Sequence, residues 1–461
     1  MPADPAASPL TPRRPEAVLF RRGGEAITVG RFLAEAAALA ARLPEAPYAI
    51  NLCADRYLAL LGFAAALLRG QTTLLSAERS PHRLRELAER YPGAHALVDD
   101  AATLAQDAAA AACPVAVTGC AEALAARGGA PAAAAPAPAI PAERIAAIAF
   151  TSGSTGEPTP HAKPWGALVA GARAAAERFG LADPARPASI VASVPAQHMY
   201  GFETTLLLPL QAEAAGHAGP AFYPSDLAEA LAQSPPRRLL VTTPLHLRTL
   251  LASGAALPAL EAVISATAPL AGELAAAAEK AWRTRVLEIY GATEAGSLAS
   301  RRTVEGPLWR PYGGIRLRRG ADGTALAEVP GLPRPVPLAD ELELGEDGRF
   351  RLLGRRADVV KLAGKRASLA GLTRILTTIE GVRDGVFVAP EDLDRNPRAR
   401  LAAYVVAPGR SAREILAALR ERIEPAFLPR PVVMLDALPR DAVGKLSRRA
   451  LAALRPAAAR R

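Results

Sequence analysis

The chain has 461 residues, half of them hydrophobic and 22% charged, with a formal net charge of +10. It is too long for one compact core and too apolar for a disordered chain, so two or three folded domains are expected. The positive charge is spread along the length without a long basic tract or interleaved aromatics, which argues against a nucleic-acid binder. A basic face for an acidic partner stays open.

The N-terminal MPADPAASPLTPRRP lacks the apolar core of a secretory signal, and no run of about 18 apolar residues marks a membrane span. Cys53, Cys113 and Cys120 are scattered, form no CxxC pair and have no histidine at ligand spacing, which suits a reducing cytoplasm. Lysine is rationed. Of 55 basic residues, only Lys163, Lys280, Lys361, Lys365 and Lys445 are lysine. A lysine retained in an arginine-rich chain points to a need for a compact ammonium.

From Ala17 to Asp100 helical patterns alternate with short apolar runs: a helix over Arg31–Leu43, a strand over Tyr48–Cys53 and a helix over Tyr57–Leu68. This predicts a layered α/β domain. Asp107–Pro141 is rich in alanine, proline and glycine, and its PAAAAPAPAIP portion, Pro131–Pro141, reads as loop or linker. Ile145–Phe150 (IAAIAF) is a buried strand running into FTSGSTGEP, Phe150–Pro158. Glycines there let the backbone approach a bulky anion, with amides and hydroxyls facing its oxygens. It is not a GxxxxGK[ST] phosphate loop, because Gly364-Lys365 is followed by Arg366 and Gly444-Lys445 by Leu446.

Further strands are expected at Ser189–Val194, Arg238–Thr242, Ala262–Ser265 and Val286–Ile289, with helices at Leu227–Gln233 and Gly272–Ala281. Their turns place reactive loops at the carboxyl ends of a sheet. YGATE, Tyr290–Glu294, follows the last of these strands. Glu341–Leu353 reads as a β-hairpin turning at Glu346-Asp347-Gly348, with Asp340 before it and GRRADVVK, Gly354–Lys361, after it. PRDAVGKLSR, Pro439–Arg448, lies near the C-terminus. The expected organisation is a large domain over 1–354 and a smaller α+β domain over 355–461.

In this order, the motifs resemble the acyl- and aryl-adenylate-forming superfamily, whose members join a carboxylic acid to AMP from ATP and then to a thiol. The resemblance runs from Ala17 to Leu451. It implies a large layered α/β adenylating domain with a mobile C-terminal domain, and ATP and Mg²⁺ as cofactors. Thr151, Ser152, Gly153, Ser154, Thr155 and Gly156 would cradle the β- and γ-phosphates, Tyr290 would meet adenine, Thr293 the α-phosphate, and Glu294 Mg²⁺. Asp340 and Arg355 would hold the ribose. Asp358 would be the hinge, and Lys445 would reach the reacting oxygens and leave when the small domain turns. Lys361 and Arg366 would shape the thioester-forming state, with Lys365 solvated.

Three positions depart from the family pattern. Thr159 stands where a lysine is common, so that either Lys163 supplies the missing cation or the position is dispensable. Ala357 stands for a frequent aspartate and Gly371 for an acidic residue. Gln197-His198-Met199-Tyr200-Gly201 resembles the segment that gates the acid pocket, with His198 as gate. Ser265-Ala266-Thr267-Ala268-Pro269 stands for a glycine-rich turn, and Gly291 of YGATE borders the same pocket. Ala266 and Thr267 in place of glycines would narrow the channel toward an aromatic or short acid. TSGSTGEPTPH and HMYGFE look like the AMP-ligases of aryl polyene and xanthomonadin-type pigment pathways, which implies a hydroxybenzoate-like substrate. The implied acceptor is an acyl carrier protein, with coenzyme A as runner-up. A non-catalytic nucleotide-binding or carrier-docking protein and a luciferase-like oxidative enzyme are the competing readings.

Overall fold

The computed structural model describes residues 7–76, 81–100, 115–125, 136–151, 159–355, 359–362, 365–390, 399–440, 446 and 450. By contacts the chain forms two units. One comprises Met1–Gly306, Pro311–Arg316 and Glu328–Val336; the other comprises Pro307–Arg310, Leu317–Ala327 and Pro337–Arg461.

The larger unit opens with β1 (Val18–Arg22) and β2 (Glu25–Thr28), an antiparallel hairpin leading into α1 (Val29–Ala40). Thr28 caps α1, its hydroxyl accepting from the Arg31 amide and satisfying one orphan donor. β3 (Tyr48–Asn51), α2 (Arg56–Leu68), β4 (Thr72–Leu75), β5 (His95–Val98) and β6 (Val117–Gly119) follow, then β7 (Ile145–Thr151) and its antiparallel return β8 (Thr159–Pro164). α2 is apolar on every side and buried from Arg56 to Leu67, as expected for a helix inside the core rather than on it. Its Phe63 packs edge-on to Phe202 at 5.1 Å and tilted against Trp165 at 6.3 Å. These strands form a sheet in the order β8-β7-β4-β3-β5-β6, parallel except at β8.

After α3 (Trp165–Phe179) come β9 (Ala188–Ala192), β10 (Ala214–His217), α4 (Pro224–Gln233), β11 (Arg238–Thr242), α5 (Pro244–Ala252), β12 (Leu260–Ser265), α6 (Gly272–Trp282), β13 (Arg285–Ala292) and β14 (Gly296–Arg302). In the larger unit these make a second sheet, ordered β14-β13-β12-β11-β9-β10-β1-β2, whose inner strands are parallel and whose two edges are antiparallel. Parallel strands joined by helices align their carboxyl ends, where ligands of such sheets bind. The expected layered α/β architecture is therefore present.

Two sequence expectations need correction. The end of the supposed linker is structured: Ala139–Pro141 pairs antiparallel with Ala7–Pro9, and ahead of it, where the sequence pattern shows no element, β6 pairs in parallel with β5 and a helix over Cys120–Ala125 follows with Cys120 buried. An alanine-rich stretch hides such elements because it offers little contrast between its faces. Cys53 and Cys120 are also not scattered, for their buried sulfurs lie 3.8 Å apart. Cys113 lies outside the described residues.

In the smaller unit, β15 (Asp340–Leu344) and β16 (Phe350–Arg355) form the expected hairpin, with Gly348 of its turn at φ 76°. β17 (Val359–Leu362) and β18 (Lys365–Ser368) make a second hairpin leading to α7 (Leu369–Thr377). β19 (Asp384–Val388), β20 (Ala402–Val406), α8 (Ala412–Arg420) and β21 (Val432–Met434) complete an α+β core around Leu376, Phe387 and Leu419.

Candidate functional site

The glycine-rich loop closes the β7–β8 hairpin, whose last pair is Thr151 with Thr159. Residues 152–158, and with them Ser152, Gly153, Ser154, Thr155 and Gly156, lie outside the described residues, and Thr151 is described by its backbone alone. The hairpin's next feature is decisive. β8 alternates, so Thr159, His161 and Lys163 share a face, and Lys163 is only 2% exposed. Its Nζ donates to the main-chain oxygen of Glu294 at 2.8 Å. Burial pushes the Lys163 ammonium down to about 8, against the opposing pull of the Glu203 and Glu294 carboxylates. Burial also lowers His161, with Glu294 raising and Lys163 lowering it.

YGATE is not a loop that begins at the end of a strand at Ile289. β13 runs on to Ala292 because its antiparallel neighbour continues the ladder: Tyr290 faces Ala299, Gly291 faces Ser297, and Ala292 faces Gly296. Thr293, Glu294 and Ala295 form the turn, with Ala295 N donating to Ala292 O at 3.0 Å. Thr293 and Glu294 are half-buried and Tyr290 is buried. Gly291 sits at the bulge in this ladder, where an added Cβ would stand 2.6 Å from Gly296 O. Backbone crowding therefore demands glycine there.

The sequence reading missed Glu203. It lies in a π-helical turn, Phe202–Leu207, where Thr204 and Thr205 hydroxyls donate to the carbonyls of Tyr200 and Gly201. Such turns recur at functional positions. Glu203 Oε1 accepts from the Ser297 amide at 3.1 Å, and Oε2 from the Ser297 hydroxyl at 2.6 Å. Burial raises its pKa, opposed by both Ser297 bonds and by Lys163. The only sequence sign of it is one acid just ahead of the apolar run Leu206–Leu210. A cleft of the larger unit is lined by Lys163, Glu203, Gly296 and Ser297 together.

The segment expected to form the acid pocket is held mainly by backbone ties. Gln197 Nε2 donates to Cys53 O. His198 begins a short helix, Met199–Gly201, its Nδ1 accepting from the Tyr200 amide at 3.3 Å. The Tyr200 hydroxyl donates toward Thr242 O (3.1 Å) and Ile264 O (2.9 Å), the last carbonyls of β11 and β12 or next to them. Burial raises the pKa of that phenol. At Gly201 an added Cβ would lie 2.0 Å from Pro195 O, a distance no side chain tolerates. Ser265 ends β12 fully buried, Ala266 is buried, and Thr267 holds φ at 78°, the left-handed conformation a glycine would adopt freely. Thr267 thus keeps a glycine's backbone while adding a branched side chain. Ser193 Oγ completes this end, 2.9 Å from both Thr242 Oγ1 and His246 Nδ1.

In the smaller unit, hairpin register sets Asp340 opposite Arg355, which is described by its backbone alone. Lys361 pairs with Arg366, and Leu362 with Lys365, across β17 and β18; Gly371 is in α7. Ala357, Asp358 and Lys445 lie outside the described residues. The chain on either side of Lys445 is anchored: Arg440 pairs with Leu446, and its guanidinium grips Asp384 of β19 through two bonds of 2.7 Å.

The fold as a whole matches that of adenylating enzymes. A solved structure of the anthranilate CoA ligase AuaEII in complex with anthranoyl-AMP superposes with a TM-score of 0.81 at 17% identity, covering 99% of this chain and 98% of that one. In sequence, the chain is 31% identical over 283 residues to the 4-coumarate–CoA ligase of Rhodobacter capsulatus, covering 61% of this chain and 69% of the relative. It is 32% identical over 313 residues to the 4-coumarate–CoA ligase of Halorhodospira halophila, covering 64% and 73%. Residues 10–320 match the family model described as AMP-binding enzyme, and the chain belongs to that adenylate-forming family. Among the described residues no helix is long and apolar enough to cross a membrane.

Proposed function

We propose that this protein activates an aromatic or short carboxylic acid as its adenylate, releasing pyrophosphate from ATP, and passes the acyl group to a phosphopantetheine thiol. One observation carries the reading: Lys163, on the strand leaving the glycine loop, contacts Glu294 of the YGATE turn at 2.8 Å. Two motifs with separate assigned roles therefore belong to one place.

The assigned residues fit the group they would hold. Glu294 is a half-buried hard oxygen donor in the turn after β13. That suits Mg²⁺, which usually takes one or two carboxylates and completes its shell with phosphate oxygens and water. Bound ATP with Mg²⁺ supplies an electrophilic phosphorus and a leaving group whose charge is neutralised. The chain positions the pieces. Thr151 to Gly156 hold the distal phosphates, Thr293 the α-phosphate, Tyr290 the adenine, and Asp340 with Arg355 the ribose. In the role the family resemblance implies, Lys445 would steady charge on the oxygens between acid and phosphate, and Asp358 would be the hinge. His198 gates the acid.

The named activity of the coumarate ligases supports coenzyme A as acceptor and an aryl acid as substrate. The net charge of +10 favours a second acceptor, an acidic acyl carrier protein. With a hydroxybenzoate-like acid, that partner would place the enzyme in aryl polyene or xanthomonadin-type pigment synthesis, in the cytoplasm. Pyrophosphate exchange across a panel of aromatic and short aliphatic acids tests the first step; no exchange with any acid overturns the proposal. Supplying coenzyme A or a carrier protein bearing a free phosphopantetheine thiol in turn then identifies the acceptor. Lys445→Ala should slow adenylate formation strongly while leaving thioester formation from supplied acyl-AMP largely intact. Equal damage to both steps removes the role given to Lys445.

A further inference from the structure

We propose that Lys163 and Glu203 are positioning residues that clamp the Thr293–Ala295 turn from two sides and so fix the direction of the Glu294 carboxylate. The inference rests on the reading of Glu294 as the Mg²⁺ ligand. The turn is only three residues long, so a small twist of its backbone swings Thr293 and Glu294 together. Two elements distant in sequence restrain it. From β8, the Lys163 ammonium takes the Glu294 carbonyl at 2.8 Å, across 131 residues. From the π-helical turn, Glu203 takes both the amide and the hydroxyl of Ser297 at 3.1 and 2.6 Å, across 94 residues. Gly296 between them has φ 82°, and a Cβ added there would stand 2.7 Å from Glu203 Oε1. The carboxylate therefore presses directly on the backbone leaving the turn.

Ordinary packing is a poor account of this arrangement. An ammonium 2% exposed costs far more to bury than one carbonyl hydrogen bond returns, and a water or hydroxyl could satisfy that carbonyl. What the costly pair provides is a hold on the middle of the turn by Lys163 and on the first residues of β14 by Glu203.

The full-length protein tests this with Lys163→Met, Glu203→Gln and a core control in α4, Leu231→Ala, whose side chain is fully buried in a separate cluster. Three quantities are read: the Mg²⁺ dependence of pyrophosphate exchange at saturating ATP and acid, amide hydrogen exchange over 291–299 without nucleotide or metal, and thermal unfolding. Either clamp variant should raise half-saturating Mg²⁺ about tenfold, the loss of one charged hydrogen bond, and should speed hydrogen exchange over 291–299. Leu231→Ala should lower thermal stability without moving either readout. Unchanged Mg²⁺ dependence together with unchanged local exchange in a folded clamp variant overturns the proposal. If Lys163→Met does not fold, Glu203→Gln alone decides it. Faster exchange over 291–299 with Mg²⁺ activation that survives in Glu294→Gln would retain the clamp and refute the metal role of Glu294, which separates the two failures.

Discussion

The turn after β13 and the segment Gln197–Gly201 both border the carboxyl ends of the same sheet, yet they treat polarity in opposite ways. The turn is surrounded by formal charge: Lys163 on one side, Glu203 on the other, Glu294 within it. The Gln197 segment carries none. Its polar groups are tied to backbone, with Gln197 on Cys53 O and Tyr200 on Thr242 O and Ile264 O, and Ser193, Thr242 and His246 tied to one another. Charge placed in a low-dielectric site acts on developing charge, whereas tied-off polar groups leave shape and apolar contact to choose a ligand. On the proposed function, the charged turn would serve the nucleotide and rate, and the Gln197 segment the acid and selection, so substitutions at the two should fail differently.

The largest effect should follow Glu294→Gln, which keeps size and hydrogen bonding but removes the charge. Pyrophosphate exchange should fall about 10²- to 10³-fold, as when one preorganised electrostatic group is lost from an active site, with thermal unfolding unchanged. A loss below tenfold would erase the contrast between the two ends. Next comes Gly201→Ala, whose methyl must displace Pro195 O from 2.0 Å. Overpacking of this kind costs about 1–3 kcal/mol, visible as a lower Tm, and the KM for acid should rise while the KM for ATP holds. If both KM values rise alike, the two ends are one coupled site.

Thr267→Gly should act more gently and in the opposite sense. The branched residue at φ 78° stores about 1–3 kcal/mol of strain, while glycine costs roughly 0.5–1 kcal/mol in unfolded-chain entropy, so stability should hold or rise slightly. The freed space should raise kcat/KM for acids bulkier than the best substrate. Stability that falls by more than about 1 kcal/mol would mean that Thr267 contacts outweigh its strain.

These assignments differ in how far the sequence announced them. β11 was legible residue for residue, because Arg238–Thr242 is a short apolar run followed by Thr-Pro. The β15–β16 hairpin was legible from its turn chemistry, with Gly348 taking the positive φ its place implies. YGATE was found as a motif but placed on the wrong element, since whether a strand continues depends on its neighbour across the ladder. Lysine scarcity marked Lys163, but nothing local could show that it meets the main chain of Glu294 rather than a carboxylate. Glu203 was illegible: one acid in an apolar helix looks like a surface residue until Ser297, 94 positions away, arrives beside it. What composition and periodicity report is local, and a buried charge acquires its meaning from tertiary partners.

Ser265 provides the finest discrimination between the two ends. Its hydroxyl is fully buried at the end of β12 and, among the described residues, has no hydrogen-bond partner. An unpaired buried hydroxyl costs about 1–3 kcal/mol, so Ser265→Ala should leave Tm unchanged or raise it slightly. If the acid's carboxylate or ring hydroxyl supplies the missing partner, the KM for acid should rise about three- to tenfold with kcat unchanged, the signature of a contact made equally in ground and transition states. A fall in kcat instead would put Ser265 with the charged turn, as a group that acts on the reacting atoms. That result would move the border between selection and chemistry one strand toward the acid.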